Sequence, residues 1–263
     1  MVSFFTKDGD LLVPEKHAVS RWAPTQLGGT GVCGLLARQL ETHCPAGFVP
    51  VRMTADLFRP VLNAPIEVRS EIVREGKRIT VADATIVQEG EVRTRGTAVF
   101  LTTGSEPPGQ VWSAALDLPV PEQILSPDGA PGLFTSGDRD WSHDVAANQN
   151  ADRKTSWHSL PPLVAGEPIS PFQRAAFLGD TTNHVCHWGS HGAGYINTDM
   201  TLTLSRLPIG HEIGMRADNT IANAGISIGT ATLYDRTGAV GTCVVTALSN
   251  AHRQIDFTVP ARR

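Results

Sequence analysis

Two periodicities alternate along the chain. Val32, Leu35, Leu36 and Leu40 recur at helical spacing in "GGTGVCGLLARQLE", which predicts a helix with one apolar face. From residue 200 the period becomes two: Met200, Leu202 and Leu204 alternate with Thr201, Thr203 and Ser205, as in a strand buried on one face. A second helix is announced by "SPFQRAAFLGDTTNHV". Ser170 suits the N-cap, Pro171 the first helical position, and Gln173 can reach back to close a capping box. Runs rich in β-branched residues follow each helix: "EVRSEIVREGKRITVADATIV" after the first, "GISIGTATLYD" and "AVGTCVVTAL" after the second. A helix followed by several antiparallel strands, met twice, predicts an α+β plan in which each sheet wraps its own helix.

The two halves are also related residue by residue. An offset of 206 − 59 = 147 sets Arg59 on Arg206, Met53 on Met200, Thr54 on Thr201, Ile79 on Ile226, Ala84 on Ala231 and Thr85 on Thr232. The turn signals "VQEGEV" and "YDRTGAV" fall at corresponding places, each a hairpin cue. So long a period suits a duplicated domain rather than a solenoid. The expected organisation is an N-terminal domain over residues 1–105, a linker over 106–155 dense in Pro, Gly and Ser, and a C-terminal domain over 156–263. Residues 134–154 carry no periodicity that predicts an element.

Composition narrows the function classes. With 41% hydrophobic residues the chain can build a core. Its net charge of −4, without any Lys/Arg run, argues against nucleic acid or an anionic membrane as partner. Cys33, Cys44, Cys186 and Cys243 lack CxxC spacing and read as reduced thiols. No leader pattern opens the chain and no apolar run approaches a bilayer span, so a cytoplasmic location is expected. Gly28 and Gly29 either let a ligand approach the backbone or ease a turn; no dinucleotide or phosphate-loop fingerprint accompanies them. In "NHVCHWGSH", His184, Cys186, His187 and His191 are metal-capable types, but zinc sites use a tighter ligand set. They are expected to line a pocket or face solvent, with no metal.

Four stretches together, "LGGTGVCGLLARQLE", "VPVRMTADLFRPV", "PLVAGEPISPFQRAAFLGDTTNHV" and "YINTDMTLTLSRLPIG", resemble the double-hotdog acyl-CoA thioesterases of the thioesterase II type, particularly actinobacterial ones. The resemblance implies two tandem hotdog domains, hydrolysis of an acyl-CoA or similar thioester by water activated in the C-terminal domain, and no bound cofactor. It also implies a catalytic set of carboxylate, hydroxyl and glutamine. Asp199 would then be the base and Thr220 its hydroxyl partner. Their counterparts in the first copy are Arg52 and Val73, and Asp180 faces Cys33 in the alignment, so the chemistry gathers in the second copy. The glutamine position falls on Val245, or on Thr246 with a one-residue shift, and neither offers a carboxamide. Asp180 and Asn183, three apart on one helix face, are the candidates to replace it; Gly28, Gly29, Val245 and Thr246 would adjoin the substrate.

Each of these residues also has a plain structural reading: Asp199 as a strand starter, Thr220 as an ordinary strand residue, Asn183 as a helix end. Val245 leaves open a protein on this fold that binds acyl-CoA or another apolar ligand without hydrolysing it. A dehydratase is disfavoured because no Asp-x-x-x-x-His opens a helix. Exposed sheet edges make a homodimer or higher homo-oligomer the expected assembly.

Overall fold

The computed structural model describes residues 2–259. The first half contains β1 (Phe5–Asp8), β2 (Leu11–Pro14), α1 (Gly29–Glu41), β3 (Phe48–Asp56), β4 (Glu67–Arg74), β5 (Ile79–Gln88) and β6 (Glu91–Thr102). The second contains β7 (Ala130–Ser136), β8 (Lys154–Ser159), α2 (Pro171–His187), the short β9 (Trp188–Gly189), β10 (Gly192–Ala193) and β11 (Tyr195–Asn197), then β12 (Asp199–Leu204), β13 (Glu212–Asn223), β14 (Ile226–Asp235) and β15 (Gly238–Ser249). One antiparallel sheet runs β4-β5-β6-β3-β12-β15-β14-β13-β8-β7, with β11 also on β15. It wraps both helices, giving a double hotdog.

The internal repeat has a geometric counterpart. β3 and β12 pair antiparallel at the centre, with Met200 opposite Ala55, Thr201 opposite Thr54 and Leu202 opposite Met53. Because Thr54 and Thr201 are also the residues related by the 147 offset, a pseudo-twofold axis passes between them and exchanges the halves. Each copy thereby covers the strand edge that the other would expose.

The predicted faces are the buried ones. Val32, Leu35, Leu36 and Leu40 of α1 and Met200, Leu202 and Leu204 of β12 lie in one core that spans both halves. α1 packs along α2, and Gly34 permits close approach: a Cβ there would lie 3.0 Å from Leu163 Cδ1, ahead of α2, and 3.5 Å from Phe177 Cδ2 of α2. Ser170 caps α2 as expected, its Oγ accepting from Gln173 N at 3.1 Å. The capping box does not close. Gln173 Nε2 instead donates to Glu41 Oε2 at 3.0 Å, and Ser170 Oγ donates to the same oxygen at 2.7 Å. A carboxylate from the other half, a stronger acceptor, displaces the local contact. Nearby, Arg38 grips Glu167 with two bonds of 2.7 and 2.9 Å.

The stretch expected to be a linker is more structured than its composition suggests. Residues 117–123 do cross the surface extended, held by Tyr234 Oη on Pro119 O at 2.6 Å and Arg236 on Pro121 O at 3.0 Å. Further on, however, β7 joins the sheet edge against β8. Leu133 and Leu125 cover Trp157 and Tyr234 in a separate small core. Pro131 and Gly132 mask this strand in the sequence, and Pro is tolerated because β7 is an edge strand. No helix among the described residues is long and apolar enough to cross a membrane.

Candidate active site

A cavity of about 1120 Å³ opens where the N-terminus of α1, the middle of α2 and the start of β12 meet. Gly28, Gly29, Asp180, Asn183, Asn197 and Asp199 all border it. Asp180 projects from α2 directly at the first turn of α1. A Cβ on Gly29 would lie 2.5 Å from Asp180 Oδ1, so glycine is required there by the carboxylate rather than by backbone strain. Gly28 is the N-cap of α1 and no side chain caps the helix. Its first-turn N–H groups therefore remain available at a positive helix end.

Asn197 Nδ2 donates to Asp180 Oδ1 at 2.8 Å and to the Asp199 carbonyl at 3.4 Å. Burial raises the Asp180 pKa to about 6, against the stabilising bond from Asn197. Asn197 was not singled out by the sequence, for a geometric reason. Residues 197 and 201 pair with 247 and 244, so 201 − 197 = 4 residues of one strand face 247 − 244 = 3 of the other. This bulge inverts the alternation between β11 and β12. Asn197 and Met200 consequently both turn toward α2, where strict alternation would have put them on opposite faces.

Asp199 borders the cavity with both oxygens hydrogen-bonded. Its Oδ1 accepts from the Thr246 backbone N–H at 3.0 Å and its Oδ2 from Thr198 Oγ1 at 3.4 Å. Thr246 thus contributes its main chain at the position where a glutamine is expected. Val245 is fully buried in the core. Thr220 does not join this group. Its hydroxyl donates to the Cys186 carbonyl of α2 at 2.8 Å. Its neighbour Ile221 is reached from Thr246 through Ile228, two strand spacings away, roughly 10 Å. The alternation predicts which face Thr220 occupies but not how far the curled sheet carries it from Asp199.

Asn183 borders the cavity while holding β11 to α2. Its Nδ2 donates to Tyr195 O at 3.1 Å and its Oδ1 accepts from His187 Nδ1 at 2.7 Å. His187 in turn meets Ser227 Oγ at 2.8 Å, and burial lowers its pKa to about 4. The helix continues through His184 and His187, but the metal-capable residues diverge. His184 stacks on Trp188 with ring centres 4.7 Å apart, Cys186 Sγ faces Thr230 O at 3.3 Å, and His191 is exposed in a loop.

Residues 18–101 match the family model for the acyl-CoA thioesterase N-terminal domain, and residues 108–248 that for the C-terminal domain. The chain belongs to the acyl-CoA thioesterase family. The C-terminal match takes in the extended crossing and β7, which pairs with β8 of the second half. This thioester hydrolase shares its fold with the tesB protein of Mycobacterium avium subs paratuberculosis, at 14% identity and TM-score 0.67 over 93% of this chain and 95% of that one. It is similar too to the acyl-CoA thioesterase II TesB2 of Mycobacterium marinum, at 15% identity and TM-score 0.65 over 92% of each chain. A conserved hot dog fold protein of unknown function from Alicyclobacillus acidocaldarius aligns at 17% identity and TM-score 0.66 over 93% of this chain and 95% of that one. No curated protein sequence matches this thioesterase.

Proposed function

We propose that this protein hydrolyses acyl-CoA thioesters with Asp180 as the general base, and with Asn197 and Asp199 holding the base and the adjoining backbone in position. The observation that carries this reading is the part-buried Asp180 carboxylate set against the uncapped start of α1, with Asn197 bonded to one oxygen. Asp180 takes a proton from water as the water oxygen bonds to the thioester carbonyl carbon. Charge developing on the carbonyl oxygen is received by the first-turn N–H groups of α1, beginning at Gly29. When the C–S bond breaks, the sulfur leaves with the proton returned by Asp180, giving a carboxylic acid and coenzyme A. A pKa of about 6 leaves the base ionised at pH 7 yet more basic than an exposed aspartate. Asp199 already accepts from Thr246 N–H, which suits it to fixing the strand start rather than to proton transfer.

The test is Asp180→Asn assayed by thiol release from acyl-CoA between pH 5 and 9. A fall in kcat of about a hundredfold or more is expected, with loss of the acid limb near pH 6. Unchanged turnover would remove Asp180 from the mechanism, and an Asp199→Asn variant losing activity in its place would return the base to Asp199.

A further inference from the structure

Phe134, His158, His184 and Phe257 line the same cavity as Asp180, and their rings pack on one another as one aromatic wall of it. Phe134 stands edge-on to His158 at 5.8 Å and 83°, and to His184 at 6.0 Å and 71°. Phe257 stands edge-on to His184 at 5.3 Å and 87°. Trp188 closes the back, stacked on His184 at 4.7 Å and edge-on to Phe134 at 5.6 Å. Burial keeps both imidazoles neutral at physiological pH, lowering His158 to about 4 and His184 to about 3. His158 Nε2 is buried without a hydrogen-bond partner among the described residues. His184 follows Asp180 by four residues on α2, about 6 Å along the helix.

We infer that this chamber receives the acyl half of the thioester and selects a compact aromatic acyl group over a straight alkyl chain. The inference rests on the hydrolytic reading of the Asp180 site and names its substrate class. A ring laid against this wall meets aromatic faces and edges with which it can stack offset or edge-on. An alkyl chain gains none of that geometry and loses more rotational freedom on entry. The adenine of coenzyme A is also planar, but the whole pantetheine arm separates it from the sulfur. That distance far exceeds the single helical turn between Asp180 and His184.

The test compares phenylacetyl-CoA with octanoyl-CoA, which carry equal numbers of acyl carbons, by thiol release from the full chain. A kcat/KM about tenfold or more higher for the aryl substrate is expected, with the ratio collapsing toward one in Phe134→Leu and in His184→Leu. An alkyl substrate cleaved as well as the aryl one, or a ratio that both variants leave intact, overturns the inference. Should no thioester be cleaved, the hydrolytic reading fails instead, and binding decides the chamber separately. Quenching by phenylacetyl-CoA but not by octanoyl-CoA of the tryptophan fluorescence that Trp188→Phe removes then upholds it, and equal or absent quenching of it by the two overturns it.

Discussion

Replacing Asp180 by Asn should make the protein more stable while making it a poorer catalyst. Burial raises the pKa of Asp180 from 3.8 to about 6, a rise of 6 − 3.8 = 2.2 units, or about 3 kcal/mol at about 1.36 kcal/mol per unit. The sign follows from proton counting. Between the unfolded and folded values the native state binds more protons, so stability falls as pH rises from about 4 through about 6 and the full cost is present at pH 7. Asn carries no charge to desolvate, and its side-chain oxygen can still accept from Asn197. Urea unfolding of the two proteins should therefore nearly coincide at pH 4 and separate by up to about 3 kcal/mol at pH 7, the variant being the more stable. The positive end of α1 favours the ionised carboxylate and trims this figure. For a chain of this size each kcal/mol corresponds to about 2–4 °C in Tm. Equal stabilities from pH 4 to pH 8, or a variant less stable at pH 7 than the parent, would refute the claim that Asp180 is held ionised at a cost to folding.

Gly29→Ala would bring a methyl group to 2.5 Å from Asp180 Oδ1; kcat should fall by about tenfold or more as the carboxylate swings away, with circular dichroism unchanged because Ala favours the helix. Thr220→Val removes a hydroxyl bonded to Cys186 O outside the cavity, so thiol release should hold within about twofold while stability drops by about 1 kcal/mol. His158 has its pKa lowered from 6.5 to about 4 by burial, so the stability tied to its neutral form is present above pH 6.5 and is lost as pH falls toward 4. The loss reaches about 3 kcal/mol below pH 4 and about 2 kcal/mol between pH 7 and pH 5, and it should shrink in His158→Leu, as urea unfolding at those two pH values will show. Leu35→Ala empties a fully buried position of α1 and should cost 2–5 kcal/mol in urea unfolding, at roughly the scale of other buried Leu truncations.

Local spacing carried the elements of this protein. The helical recurrence of Val32, Leu35, Leu36 and Leu40, the Ser170-Pro171 cap and the alternation from Met200 to Leu204 all depend on neighbours within one element, and each leaves its mark in order along the chain. The 147-residue repeat went further, because two copies of one sheet edge can satisfy each other only by pairing, as Thr54 and Thr201 do. β7 escaped notice because an edge strand needs only one bonded side and tolerates Pro131.

The site was decided in three dimensions. Asp180 was legible as a candidate, but its raised pKa comes from burial, and that requires α1 and α2 to pack. Asn197 reaches Asp180 through a bulge that reverses the strand's alternation, and Thr220 lies two strand spacings from the chain around Asp199. The aromatic wall draws Phe134, His158, His184 and Phe257 from separate segments of the chain. Periodicity records which face a side chain takes, whereas distance between elements, loss of water and the choice of hydrogen-bond partner exist only once those elements are assembled.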